Sequence, residues 1–125
     1  MRNQLIVVVE DEKLIAELIR EILGLAGYVS VVVFDDPKVA LMRIAEDLTP
    51  ALIVSDFHMP GMNGKELLDA ARQRYPHLKG ILVTADPDGA KAVAERYTVI
   101  DKGDSSFHER LLEQVAEVLR QHAHG

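Results

Sequence analysis

The sequence predicts an α/β domain: a doubly wound parallel sheet of five strands with helices on both faces. Three observations carry the prediction. Apolar runs of strand length recur at residues 5–9, 29–34, 52–55, 80–84 and 97–101. They are near-continuous rather than alternating, as in strands covered on both faces. Between them the apolar spacing turns helical, closed by Gly or Pro in the first three intervals, which implies βαβ crossovers of the usual right hand.

The first run, Leu5-Ile6-Val7-Val8-Val9, is rich in β-branched residues and ends on Glu10, Asp11 and Glu12. From Lys13, the residues Leu14, Ile15, Leu18, Ile19, Ile22 and Leu23 fall at helical spacing, and Gly24 or Gly27 closes that helix. Asp36-Pro37 after the second run supplies an N-cap and a first-turn proline for a helix carrying Ala40, Leu41, Ile44, Ala45 and Leu48, which Pro50 bars from continuing. The third run ends on Asp56. After it, Pro60, Gly61, Asn63 and Gly64 build a turn into a helix with Leu67, Leu68 and Ala71 inward, stopped by Pro76. The fourth strand ends on Thr84, and a short alanine-rich helix over 90–96 leads to the fifth. Ser106 and Glu109 form a capping box for the last helix, whose stripe is Phe107, Leu111, Leu112, Val115, Val118 and Leu119.

With 125 residues, 48% hydrophobic and 27% charged, the chain suits one domain over 1–125. A net charge of −6 without a Lys/Arg block argues against direct binding to nucleic acid or an anionic membrane. There is no cysteine, so disulfides and thiolate chemistry are excluded. Arg2 is the single charged residue ahead of the first apolar run, acids follow that run at once, and no run is long enough to span a bilayer, which leads to a cytoplasmic expectation.

A five-stranded sheet of this kind commonly has the flavodoxin-like order 2-1-3-4-5, with strands one and three side by side. Glu10, Asp11 and Asp56 then meet at the carboxyl edge, where Thr84 ends strand four and Lys102 follows strand five. Clustered carboxylates repel unless a cation neutralises them, and oxygen ligands of this type suit Mg²⁺. Lys102 suits a phosphoryl oxygen and Thr84 can donate to one. Taken singly, each of these residues reads as a turn former or strand end. Jointly they read as a phosphoryl site. His77 and His108 read as surface, and His122 and His124 as a solvated tail.

Over nearly its whole length the chain resembles the receiver domain of two-component response regulators. The residues that carry the resemblance are Val9-Glu10-Asp11-Glu12, the stretch from Asp56 to Gly64, Thr84-Ala85 and Asp101-Lys102. The resemblance implies that Asp56 is the phosphoacceptor and that Mg²⁺ binds Asp11, Asp56 and the His58 backbone carbonyl, with Glu10 acting through water. It implies that Thr84 and Lys102 contact the attached phosphoryl group. It further implies a histidine kinase or histidine phosphotransfer protein as donor, and an output domain or downstream protein as target. The His58 and Asp86 side chains would flank the water that later removes the phosphoryl group.

Two departures fall on the half of the domain that reports phosphorylation. Gly103 follows Lys102 where proline is usual, and a cis bond before glycine would cost about 2.5–4 kcal/mol. Val99 stands where an aromatic switch residue is usual, and Tyr97 is the nearest ring. The alanine-rich segment 88–96 can bury little apolar area and is expected to be the least stable part and the part that moves, with the signal appearing as ordering of residues 85–97. One alternative function is a phosphorylation-independent interaction module. Another is a metal-dependent phosphohydrolase, which would need a second acid just after Asp56, where Phe57 and His58 stand.

Overall fold

The five strands are parallel and lie in the order β2-β1-β3-β4-β5 in the computed structural model, which describes residues 4–124 and the side chains of 4–120. The elements are β1 (Ile6–Val9), α1 (Lys13–Leu25), β2 (Val31–Phe34), α2 (Pro37–Glu46), β3 (Leu52–Asp56), α3 (Gly64–Arg74), β4 (Lys79–Thr84), β5 (Thr98–Asp101) and α4 (Phe107–His124). The flavodoxin-like order expected from the sequence is the one observed. Residues alternate along each strand between two cores. Ile6, Val8, Leu52, Val54, Ile81 and Val83 pack with α1 and α4. Val7, Val9, Ile53 and Leu82 pack with α2 and α3. Register pairs Val9 with Ser55, Asp56 with Val83 and Thr84 with Asp101, so all strand ends face one edge.

The helix ends follow local chemistry. Gly27 adopts φ 94°, and the Tyr28 and Gly27 N–H groups donate to the Leu23 and Gly24 carbonyls at 3.1 and 3.0 Å. That is the paired closure of a Schellman motif, so Gly27 rather than Gly24 ends α1. Asp36 accepts from the Lys38 N–H at 2.8 Å to cap α2. Asn63 and Glu66 exchange bonds at 2.8 and 2.9 Å in a capping box at α3, which the sequence reading did not identify.

Gly64 begins α3 against the backbone of β3. A Cβ there would sit 2.5 Å from the Asp56 carbonyl oxygen and 2.6 Å from Leu82 Cδ2. At Gly24 a Cβ would meet nothing within 4 Å. Gly64→Ala is therefore expected to destabilise by about 1–3 kcal/mol through overpacking, whereas Gly24→Ala should be neutral or stabilise by up to about 1 kcal/mol. Urea midpoints of the two variants check this, and equal effects would contradict it.

Several expectations are corrected. The helix predicted over 90–96 is a single 3₁₀ turn, Lys91–Val93, flanked by turns. Its bonds mostly run three residues back, as from Val93 to Ala90 and Ala94 to Lys91. No side chain caps it, and only Ala90 and Val93 bury apolar surface there, too little to extend an α-helix. At α4 the Ser106 N–H donates to Asp104 Oδ1 at 2.8 Å. The expected Ser106–Glu109 box is not among the bonds of the described residues. Strand β2 starts at Val31, with Val29 exposed, and α2 ends at Glu46 before Leu48. On α1 the apolar arc is wider than one face: Ile19, Ile22 and Leu23 are buried, while Leu14 and Leu18 are 80% and 43% exposed. The peptide bonds of the described residues are all trans, that between Lys102 and Gly103 included. His77 and His108 are exposed as expected, and the side chains of His122 and His124 lie outside the described residues.

Candidate functional site

β1 and β3 are neighbours, so the residues that end them converge at the carboxyl edge. One oxygen from each of Glu10, Asp11 and Asp56 lies within 4.8 Å of the other two. Glu10 and Asp56 are buried and Asp11 is exposed. Lys102 reaches them from the far side of β4: its N–H donates to the Thr84 carbonyl at 2.8 Å, extending the β4–β5 ladder past Asp101. Its Nζ then lies 2.9 Å from Glu10 Oε1, 3.2 Å from Asp56 Oδ2 and 4.0 Å from Glu12 Oε1.

One ammonium thus serves two buried carboxylates, and the shortfall falls on Glu10. Burial pushes its carboxyl up to about 7, Asp56 adds to the rise, and Lys102 and the Glu12 N–H only partly offset it. Burial alone would lower the Lys102 pKa, but Glu10 and Asp56 outweigh it and hold it above its ordinary value. Glu10 Oε2 accepts from the Glu12 N–H at 3.1 Å. Oε1 has the close but poorly directed ammonium and no hydrogen bond.

The shift has a pH signature in the metal-free protein. Below the ordinary value of 4.5 Glu10 is protonated folded and unfolded, so its burial costs nothing. As pH rises to about 7 the unfolded chain gives up the proton first, and stability is lost across that window. The whole effect is about 3 kcal/mol. Urea unfolding of wild type and Glu10→Gln between pH 4.5 and 7 checks it: the wild-type curve should fall relative to the variant, and parallel curves would contradict the assignment.

The donor set also bears on a metal. Three carboxylate oxygens within reach of one another, one of them buried with no hydrogen bond, fit a hard dication such as Mg²⁺. Glu10 and Asp11 border a groove of about 550 Å³ that runs beside Lys13, Glu17, Arg20 and Phe34, on the β2 side of the acids.

The other expected site residues lie on strands β4 and β5 and on the loops that follow β3 and β4. The His58 N–H donates to Asp56 Oδ1 at 3.3 Å, and its exposed ring stacks edge-on to Phe57 at 4.8 Å. Thr84 is buried, and its Oγ1 accepts from the Asp86 N–H at 3.0 Å, which leaves the hydroxyl proton free to be donated. Asp86 itself is exposed and accepts from the Gly89 N–H. Val99 is half-buried against the α2–α3 core, while Tyr97 is buried and donates its hydroxyl to Asp69 Oδ1 at 2.6 Å. The sequence reading missed Glu12 beside the Lys102 ammonium and Gly64 against the Asp56 carbonyl. Adjacency to Glu10 in a run of three acids was the available signal for the first.

Comparison with known proteins shows the family and the fold. Residues 6–102 match the family described as Response regulator receiver domain. The chain is similar to the Response regulator protein FleR of Pseudomonas aeruginosa, with 40% identity over 80 residues, 64% of this chain and 16% of that one. It is also similar to the DNA-binding transcriptional regulator NtrC of Salmonella typhimurium, with 34% identity over 94 residues, 75% of this chain and 20% of that one. The chain therefore spans a fifth or less of the length of these two relatives. Among solved structures, the signal receiver domain of an HD domain-containing protein from Pseudomonas fluorescens superposes with TM-score 0.85 and 27% identity over 99% of this chain and 100% of that one. A CheY-like receiver domain protein from Methanospirillum hungatei superposes with TM-score 0.82 and 27% identity over 97% of each. No helix among the described residues is long and apolar enough to cross a membrane.

Proposed function

This chain belongs to the response regulator receiver domain family of two-component signalling, and from that premise we propose that it is a Mg²⁺-dependent switch that accepts a phosphoryl group on Asp56. The observation that carries the reading is the Lys102 ammonium held 3.2 Å from Asp56 and 2.9 Å from Glu10, with Asp11 alongside. Asp56 is the acid at the end of a buried strand with an oxygen facing that cation. An Asp56 oxygen attacks the phosphorus of a phosphohistidine on a histidine kinase or histidine phosphotransfer protein. The P–N bond breaks, and its electron pair goes to the imidazole, which then takes up a proton. Lys102 and Thr84 bear the charge on the transferred oxygens, since positioning and electrostatics dominate phosphoryl transfer. Asp11, Asp56 and the His58 carbonyl would hold Mg²⁺, with Glu10 contributing through water. The ion supplies the positive charge that one ammonium cannot supply to three carboxylates and a phosphoryl group.

Water resets the switch by attacking phosphorus, breaking the P–O bond to Asp56 and releasing phosphate. His58 and Asp86 flank its path. The domain thus signals rather than turning over a substrate. It works in the cytoplasm, as one domain acting on an output domain or a downstream protein. Beryllofluoride, which mimics an aspartyl phosphate, tests the reading directly. A slowly exchanging fluorine resonance should appear with Mg²⁺ and vanish with EDTA, and its absence under saturating Mg²⁺ would overturn the proposal. Mg²⁺ titration gives a second check. Asp11→Ala should weaken affinity at least tenfold and Glu10→Gln by less. Unchanged affinity in Asp11→Ala would remove Asp11 from the ligand set.

A further inference from the structure

A second cluster of charge lies at the opposite edge of the sheet from the acids. Lys79 opens β4 and Thr98 opens β5. Five residue rises, roughly 16 Å, separate Lys79 from Thr84 at the acid edge. Between these strand starts and the end of α3 is a cavity of about 160 Å³ bordered by Arg72, Lys79, Gly80, Arg96, Tyr97 and Thr98, with Leu78 and Val118 as its apolar wall. Its lining includes three cations and no carboxylate.

The carboxylate paired with Arg96 is already engaged. Asp69 receives the Lys65 ammonium at 2.6 Å, the Tyr97 hydroxyl at 2.6 Å and the Arg96 guanidinium at 3.5 Å. Arg72 donates to the Pro76 carbonyl at 3.4 Å and lies 5.5 Å from the Tyr97 ring centroid, which leaves most of its donors uncommitted. Lys79 forms no ion pair among the described residues. In a chain of net charge −6, Arg72 and Lys79 thus border one cavity with no ion-pair partner among the described residues. Gathered like charges repel, and a bound anion relieves them as a cation relieves the acids at the other edge.

We propose that this cavity is an oxyanion site that takes one phosphate group, free or carried by a nucleotide, between Arg72 and Lys79. The planar fork of Arg72 can grip two oxygens of a tetrahedral anion, and Lys79 adds a point charge. A cavity of about 160 Å³ suits the phosphate group and leaves a nucleoside outside. The site stands apart from the acceptor site and does not depend on its role. Arg96 belongs to the same lining and follows the 3₁₀ segment, so an anion there would tie that segment to α3 and β4.

The test is heteronuclear NMR of the intact chain without Mg²⁺, titrated with potassium phosphate at constant ionic strength and, in a parallel arm, with AMP. The expected result is saturable shifts of the Lys79, Gly80, Tyr97 and Thr98 amides, with Glu10 and Asp56 unmoved. Tighter binding of AMP identifies a nucleotide, and equal or weaker binding identifies the free ion. Arg72→Gln and Lys79→Gln should each weaken binding at least tenfold. Lys79 makes no ion pair among the described residues, so Lys79→Gln keeps the test valid if Arg72→Gln fails to fold. Shifts that do not saturate, that chloride reproduces, that centre on Lys102, or that survive in Lys79→Gln overturn the proposal.

Discussion

Asp56→Asn is expected to abolish phosphoryl acceptance while leaving the fold intact. Incubated with acetyl phosphate and Mg²⁺, wild type should gain the mass of one phosphoryl group and the variant none, because a neutral amide offers no nucleophilic carboxylate oxygen. The substitution keeps shape and removes one charge from a crowded cluster. Asp56 helps hold the Glu10 carboxyl up at about 7, so in Asp56→Asn that carboxyl should move back toward its ordinary range. Lys102 then has one buried carboxylate to serve rather than two. The metal-free variant should therefore be more stable than wild type near pH 7, read from urea midpoints. A variant that still labels, or that is less stable without metal, would contradict the arrangement.

Lys102→Ala should be the most damaging single change in the site. It removes the cation that Glu10 and Asp56 share, and breaking a buried ion pair from one side typically costs about 3–5 kcal/mol. Part of that cost is avoided, because Glu10 already sits near pH 7 and takes up a proton when the ammonium is gone. The loss should thus be smaller at pH 5 than at pH 8. Transfer from acetyl phosphate should slow by about 10²–10³-fold, the scale seen when one preorganised charge-stabilising donor is deleted. Urea unfolding at the two pH values and the initial rate of phosphorylation read the two effects. An unchanged rate would show that Lys102 does not touch the transferred group.

The acid edge was legible because it follows from topology. Once five apolar runs are read as parallel strands in the order 2-1-3-4-5, the polar residue after each run must lie at one edge, whatever the side-chain details. That brought Glu10, Asp11, Asp56, Thr84 and Lys102 together by their positions in the chain alone. The parts that were not legible depend on distances between residues remote in sequence. Tyr97 donates to Asp69 across 28 positions, and neither residue signals the other. Gly64 matters because the Asp56 carbonyl passes within a Cβ's reach, which nothing in its own turn reveals. On α1, six apolar residues at helical spacing cannot say which two face outward until the sheet and α4 are in place. Leu14 and Leu18 proved to be those two. The segment 90–96 failed as a helix for a local reason: alanine propensity without a cap or a buried face does not overcome the cost of nucleation.

The central claim is that phosphate becomes covalently attached to the Asp56 carboxylate, and chemical trapping locates it directly. Borohydride reduces an aspartyl phosphate to homoserine and leaves a free carboxylate unchanged. Wild type treated with acetyl phosphate and Mg²⁺, reduced with borohydride and mapped by peptide mass spectrometry should carry homoserine at position 56 and aspartate at position 11. Homoserine at position 11, or phosphate retained on His58 with Asp56 unreduced, would contradict the account.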